Sequence, residues 1–237
     1  GKNADRSGLV IREALARVGA LDLGSNAGAR RAINRVVERQ RGTSGFVSLV
    51  GRFGLKDHYP ELLRLAHRNA DEQLGVDAVR TLLAKGQGGL LNRGLAAKSE
   101  VDATSLARAL ANASDARAVA VLRPVFDNAK RPLSVRREAV RGVVRGSKNS
   151  ANQVLARVRQ KTLSVDLRQA AGAALVTHPD PNIRKQAISL FPPLPSKDKK
   201  PLPPIAELSR RKGNVARGLK LFTTTATCAK CHKVNGK

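Results

Sequence analysis

The chain holds two cysteines, and they stand three residues apart in Cys228-Ala229-Lys230-Cys231-His232. A histidine directly follows the second. On a helical turn, positions i, i+3 and i+4 share one face, so both thiols and the imidazole can address a single flat object. C-x-x-C-H is the attachment signature of c-type haem. The thiols form thioethers to the two vinyl groups of the porphyrin, and the histidine supplies the proximal nitrogen to iron. Cys228, Cys231 and His232 are therefore the candidate haem c-binding residues, with His232 the candidate metal ligand. Two structural cysteines would need neither this spacing nor the adjacent imidazole. A zinc site usually needs a second pair of ligands, and His58, His67 and His178 are not paired at ligand spacing. A thiol redox pair stays open as an alternative, although no strand–helix pattern of the thioredoxin kind precedes it.

With no methionine in the sequence, only His58, His67 or His178 could supply a second axial ligand from within it. The start at Gly1 and the missing initiator methionine mark the sequence, on this reading, as a fragment or processed piece of a longer parent.

The net charge of +26 is unevenly spread: residues 128–237 hold 24 Lys/Arg against 5 Asp/Glu, and residues 1–127 hold 20 against 13. Such a field favours acidic proteins, nucleic acid or anionic surfaces as partners. Aromatic residues make up 3% of the chain, with no tryptophan and Tyr59 the one tyrosine. Stacking platforms for single-stranded nucleic acid are therefore scarce, which argues against that partner. The cations are spread along helical segments, so most read as solvated helix faces. No apolar run is long enough to span a membrane.

The elements that must position these groups are helical throughout. Segments 9–18 and 28–41 read as amphipathic helices, the second with Ile33, Val36 and Val37 on one stripe and arginines on the other. A short helix over 46–53 is expected after Thr43-Ser44-Gly45. Pro60 opens another at a first-turn position, 74–85 forms a third, and Gln87-Gly88-Gly89 reads as a loop. Asp71-Glu72 reads as a solvated helix end rather than an acid/base couple. The glycine-rich stretch 86–89 lacks the preceding strand that a phosphate cradle requires. No catalytic constellation emerges.

From about residue 105 a phrase recurs: Val135-Arg-Arg-Glu-Ala139, Leu167-Arg-Gln-Ala-Ala171 and Ile183-Arg-Lys-Gln-Ala187. The first two are 32 residues apart, a helix-pair period, and the third follows after 16, placing it one helix later. The alanine allows close helix approach, and the arginine stem can cover the apolar seam. Asp180-Pro181-Asn182 is a helix-start signal, which leaves His178 in a turn. The phrase resembles HEAT-like repeats, the stacked helix pairs of α-solenoids. The resemblance covers 105–191 and, more loosely, 9–104.

Six of the chain's eleven prolines fall in residues 192–204, a stiff spacer that cannot be helical. Beyond it, a short helix or turn over 205–213 precedes a helix over 214–222, capped by Asn214, with Val215, Leu219 and Phe222 on one face. Gly213, Gly218, Phe222, Cys228, Cys231, His232 and Gly236 together resemble the opening of a cytochrome c domain, with its G-x-x-x-x-G-x-x-x-F phrase before C-x-x-C-H. Repeats, linker and haem motif in this order are similar to the Planctomycetes/Verrucomicrobia-type haem-binding proteins.

The expectation is thus an all-α chain. Residues 1–191 form a HEAT-like α-solenoid, 192–204 a proline-rich linker, and 205–237 the beginning of a truncated cytochrome c domain whose remaining helices and distal ligand lie beyond the given sequence. The resemblance implies haem c as cofactor, electron transfer as function, an acidic redox partner, a periplasmic location and a dehydrogenase-like domain upstream in the parent. The competing reading is a basic solenoid that binds nucleic acid, another polyanion or a protein.

Overall fold

The computed structural model describes residues 27–192, 203 and 205–225, and every regular element among them is helical. The chain divides into two compact units, Gly1–Pro192 and Pro193–Lys237. The predicted helix over 9–18 lies outside the described residues.

In the first unit, α1 (Ala27–Arg39) packs on α2 (Ser44–Phe53). Thr43 caps α2 by accepting from the Phe46 amide, and Gly54, in the left-handed region at φ +60°, ends it. There follow α3 (Tyr59–Arg68), α4 (Gln73–Ala84), α5 (Gly88–Leu95), α6 (Glu100–Ala113), α7 (Ala116–Asp127), α8 (Leu133–Gly146), α9 (Lys148–Arg159), α10 (Val165–Val176) and α11 (Pro181–Leu190). Gly88 and Gly89 belong to α5 and not to a loop. Burial of Leu91 and Leu95 outweighs the roughly 1 kcal/mol that each glycine costs a helix, and Gly86, at φ +69°, makes the turn alone.

The even-numbered helices α2, α4, α6, α8 and α10 each pack on the next of the set, and the odd-numbered ones lie against them. The sequence dictates this through a register of small and apolar residues. Ala103, Val135 and Leu167 are buried at 32-residue intervals, as are Ala107, Ala139 and Ala171, and Ala111, Val143 and Leu175. The phrase containing Ile183 falls on α11, one helix after the phrase on α10, as its spacing implies. Gly142 stands where α6 has Leu110 and α10 has Ala174. A methyl group there would collide with Leu122 and come within 3.0 Å of the Ala111 Cα. Close backbone approach at these positions is what lets helix after helix stack with no gap. Each buried leucine between them, such as Leu106 or Leu122, contributes roughly 1.5–3 kcal/mol.

The arginine of each phrase does more than cover a seam. Arg136 Nε donates to the Phe126 carbonyl at 3.2 Å, and Arg184 Nη1 donates to the carbonyls of His178 (2.7 Å) and Pro179 (2.6 Å). These carbonyls sit at helix ends and turns, where no backbone N–H reaches them. Arg168 instead lies 5.9 Å over the Phe191 ring, itself packed where Gly172 leaves room.

In the second unit, α12 (Ile205–Leu208) and α13 (Val215–Lys220) are followed by a single wide turn over Leu221–Thr225. No helix among the described residues is long and apolar enough to cross a membrane.

Gly75 sets a test of the packing. A Cβ there would overlap the Asn69 carbonyl, a backbone atom that cannot rotate away, whereas a Cβ at Gly88 meets nothing within 4 Å. Gly75→Ala is expected to lower stability by about 1–3 kcal/mol. Gly88→Ala is expected to leave it unchanged or raise it by up to about 1 kcal/mol. Thermal and urea melts of the two variants check the contrast.

Candidate functional site

Cys228, Cys231 and His232 lie outside the described residues, and the structure describes the approach to them. Asn214 takes extended backbone angles and its Oδ1 accepts from the Arg217 amide at 2.9 Å, which starts α13 where the sequence places it. The helix closes at Lys220, and the wide turn over Leu221–Thr225 carries the chain on. Hydroxyls of Thr223 and Thr224 donate back to the Leu219 and Lys220 carbonyls at 2.8 and 2.6 Å, so this turn is held by side chains as well as backbone. Val215 is 89% exposed, Leu219 63% and Leu221 44%, and Phe222 is half-buried. Of the apolar face predicted from spacing, Val215 and Leu219 are largely exposed on α13, and Phe222, in the turn that follows, is partly covered. Lys220 and Arg217 occupy the remaining faces, both exposed.

Each of the three histidines in the first unit has a local partner. His178 is buried at 5% exposure in the α10–α11 turn, and its Nδ1 accepts the Asp180 amide at 3.0 Å. Burial, first, and then the Arg184 and Lys148 charges hold its pKa below the ordinary value, while Asp180 opposes them. Asp180 Oδ1 accepts from the Asn182 and Ile183 amides and its other oxygen meets Lys148 Nζ at 2.8 Å. Hydrogen bonding to Lys148, foremost, keeps that carboxylate below its usual range. His67 Nδ1 donates to the Asp102 carbonyl at 3.0 Å and so joins α3 to α6. His58 stands edge-on to Phe46 at 5.8 Å, with Glu38 at 3.8 Å.

The reading from sequence missed one charged cluster. Glu138, on α8, is buried at 7% exposure at a register position filled by Leu106 on α6 and Ala170 on α10. Arg141 Nη1 donates to it at 2.7 Å and Arg108 Nε lies 3.6 Å away, while Arg108 Nη1 also donates to Asp71 at 3.1 Å. Asp71, 68% exposed as a solvated helix end should be, also ties the α3–α4 turn to Arg108 on α6, which faces Glu138 on α8. A carboxylate held between two guanidinium groups ties α6 to α8, so the cluster positions helices. The signal was the glutamate at the fourth place of the first phrase, where the other two phrases carry Ala170 and Gln186.

Among the described residues, no group of three His, Cys, Asp or Glu side chains is arranged to hold a metal ion. A cleft of about 390 Å³ lies between α2 and α4 and is lined by Ser44, Ser48, Asp77, Arg80, Thr81 and Arg117. Its two arginines are already engaged, Arg80 with the Ala113 carbonyl and Arg117 with Asp115. No protein-family model, curated protein or solved structure matches this chain.

His178 generates a prediction with a definite sign. Its folded pKa lies below the unfolded value of about 6.5, so the unfolded chain takes up the proton first. The first unit keeps the full contribution above about pH 6.5 and loses it as pH falls through the lowered value. His178→Gln, which keeps an acceptor and cannot titrate, is expected to flatten that slope in melts between about pH 7 and 5.

Proposed function

We propose that the chain carries a covalently attached haem c at Cys228, Cys231 and His232 and acts in electron transfer, with the helical body as scaffold. The observation that carries the reading is the order of parts leading to the cysteines. A helix capped by Asn214, with Gly213, Gly218 and Phe222 at the spacing of a cytochrome c opening, delivers the chain to C-A-K-C-H. The donor set fits the group: two thiols for the vinyl carbons and one imidazole for the metal. The exposed Val215, Leu219 and Leu221 fit it too, because a face of this kind is what a haem and its enclosing helices bury. When bound, haem c supplies reversible one-electron exchange.

The residues of this chain would do the rest. Cys228 and Cys231 would fix the ring covalently, so that it survives partner exchange, and His232 would hold the iron. Arg210, Lys212, Arg217 and Lys220 are exposed around the approach, and Arg211 pairs with Glu207 at the surface. Such a surface steers an acidic redox partner at low salt. Thioether attachment places maturation in the periplasm, and a dehydrogenase-like domain upstream in the parent would be the electron source. For the body, the 32-residue burial register and the stacking of even helices support a HEAT-like α-solenoid over 1–191.

The test is expression of the chain with export into a host competent in c-type maturation. The expected product gains one haem mass and gives the alkaline pyridine spectrum of a thioether-bound ring, and Cys228→Ser with Cys231→Ser loses both. Wild-type protein without attached haem overturns the reading.

A second reading rests on α1. Arg30, Arg31, Arg35 and Arg39 are all exposed there and none is paired with a carboxylate among the described residues, whereas Ile33 and Val37 on the opposite side are buried. A ridge of guanidinium groups one helical turn apart suits a polyanion, including duplex nucleic acid. Duplex DNA is then expected to bind with affinity that falls linearly in log salt, with a slope reduced by about 1 for each arginine replaced by glutamine. Binding that is absent at low ionic strength removes this reading.

A further inference from the structure

α11 is held by little packing and much polar detail. It lies on α9 and α10, yet it buries only Ile183 and Ala187, whereas α6 and α8 bury seven residues each. Much of the rest of its hold comes from the turn His178-Pro179-Asp180 that leads into it. There Asp180 Oδ1 accepts the Asn182 and Ile183 amides, and its other oxygen meets Lys148 Nζ on α9 at 2.8 Å. Arg184 Nη1 donates to the His178 and Pro179 carbonyls. His178 sits among these ties, 5% exposed, with Nδ1 accepting the Asp180 amide at 3.0 Å. A backbone amide can only donate, so this contact requires a bare Nδ1 and a neutral ring. The charged side chains that face the ring are Lys148 from α9 and Asp180 and Arg184 from the start of α11, and α10 supplies none of them.

We infer that His178 makes α11 an acid-released helix: a proton on Nδ1 undocks it from α9 and α10 while the helices before it stay packed. The proton has one place to go. In the neutral ring Nε2 already carries a hydrogen, because Nδ1 accepts, so uptake occurs at Nδ1 and sets two donors against each other. Burial opposes the new charge first, and Lys148 and Arg184 repel it. Asp180 is the one group that favours it, and its oxygens are already taken by two amides and Lys148. Undocking takes the ring out to water and away from that conflict. It also breaks the turn that presents Asp180 to the first amides of α11, and two buried side chains are a small hold against that loss. Release uncovers the hollow at Gly172 that Phe191 fills, together with the apolar faces of α9 and α10 on which α11 lies.

The released helix takes up the proton first, so release grows as pH falls. One proton separates the two states, which limits the growth to about tenfold per pH unit. It starts near pH 6.5, where a free histidine titrates, and levels off below the lowered value of the docked ring. Asp180, also held low, adds a loss of the same sign only below about pH 5. The experiment is hydrogen exchange of the full chain, read by mass spectrometry at about pH 7, 6 and 5 with intrinsic rates divided out, with and without urea below the unfolding transition. Unfolding of the whole unit takes up the same proton, so pH alone does not tell release from unfolding. Urea does, because undocking one helix exposes little surface. The expected result is that α11 is less protected than α6 and α8, and that urea leaves its protection unchanged while eroding theirs. Its protection falls by several-fold, up to about tenfold, between about pH 6 and 5. In His178→Gln, which keeps an acceptor and cannot titrate, that fall disappears. Amides of α11 that match those of α6 and α8 in protection and urea response would overturn the proposal, as would a fall that persists in His178→Gln. The urea comparison is made within wild type and decides the matter even where the variant fails to fold. None of these readouts depends on haem.

Discussion

Everything in the first unit depends on how closely α6, α8 and α10 approach one another. Ala107, Ala139 and Ala171 are buried at matching places, and Gly142 removes even a methyl group where Leu122 and Ala111 press in. Larger side chains there would hold the helices apart and leave voids that the surrounding leucines could not fill. The seam therefore fixes the spacing, and the spacing fixes which polar groups meet across it. Arg137 reaches Asp166, Arg145 reaches Asn112 and Thr104 reaches Ser134 because the helices below them are already in place.

Charge is arranged around that frame with little to spare. Asp71, Asp115, Asp127, Glu138 and Asp180 are each matched with an arginine or lysine. Hydrogen bonding to Arg117, above all, keeps Asp115 ionised below the usual carboxylate range. Positive groups far outnumber such partners, so the surplus is left facing water on α1, on the turns before α6, α8 and α10, and on the approach to the cysteines. The two families of arginine do different work. Those of the repeated phrase on α8 and α11 answer backbone carbonyls at helix ends, and those of α1 answer no carboxylate among the described residues.

Much of this was legible in the residues. Apolar periodicity gave the helices, because burying one stripe is the strongest stabilising influence on an amphipathic segment. Asp180 and Asn214 announced their helices as caps, and the structure finds both side chains accepting the amides that a cap should take. Two features were hidden. Gly88 and Gly89 read as a break because glycine disfavours helices locally, yet Leu91 and Leu95 draw that segment into the core. Glu138 drew no reading of its own, because a glutamate at one place of a repeat does not reveal the two arginines that face it. Those come from α6 and from its own helix, and only the fold brings the first of them near. The reading of Cys228 to His232, by contrast, rests on five adjacent letters alone, since that stretch lies outside the described residues.

The way α11 is attached bears on how the unit would respond to force. It packs chiefly on α9 and α10, and Phe191, the residue after its last turn, wedges into the hollow at Gly172. In a stack joined between neighbours, a displacement at one end reaches the middle only through each intervening joint. Compliances of that kind add in series. If the first unit is the solenoid proposed above, it would flex a little at every seam before any one of them opened.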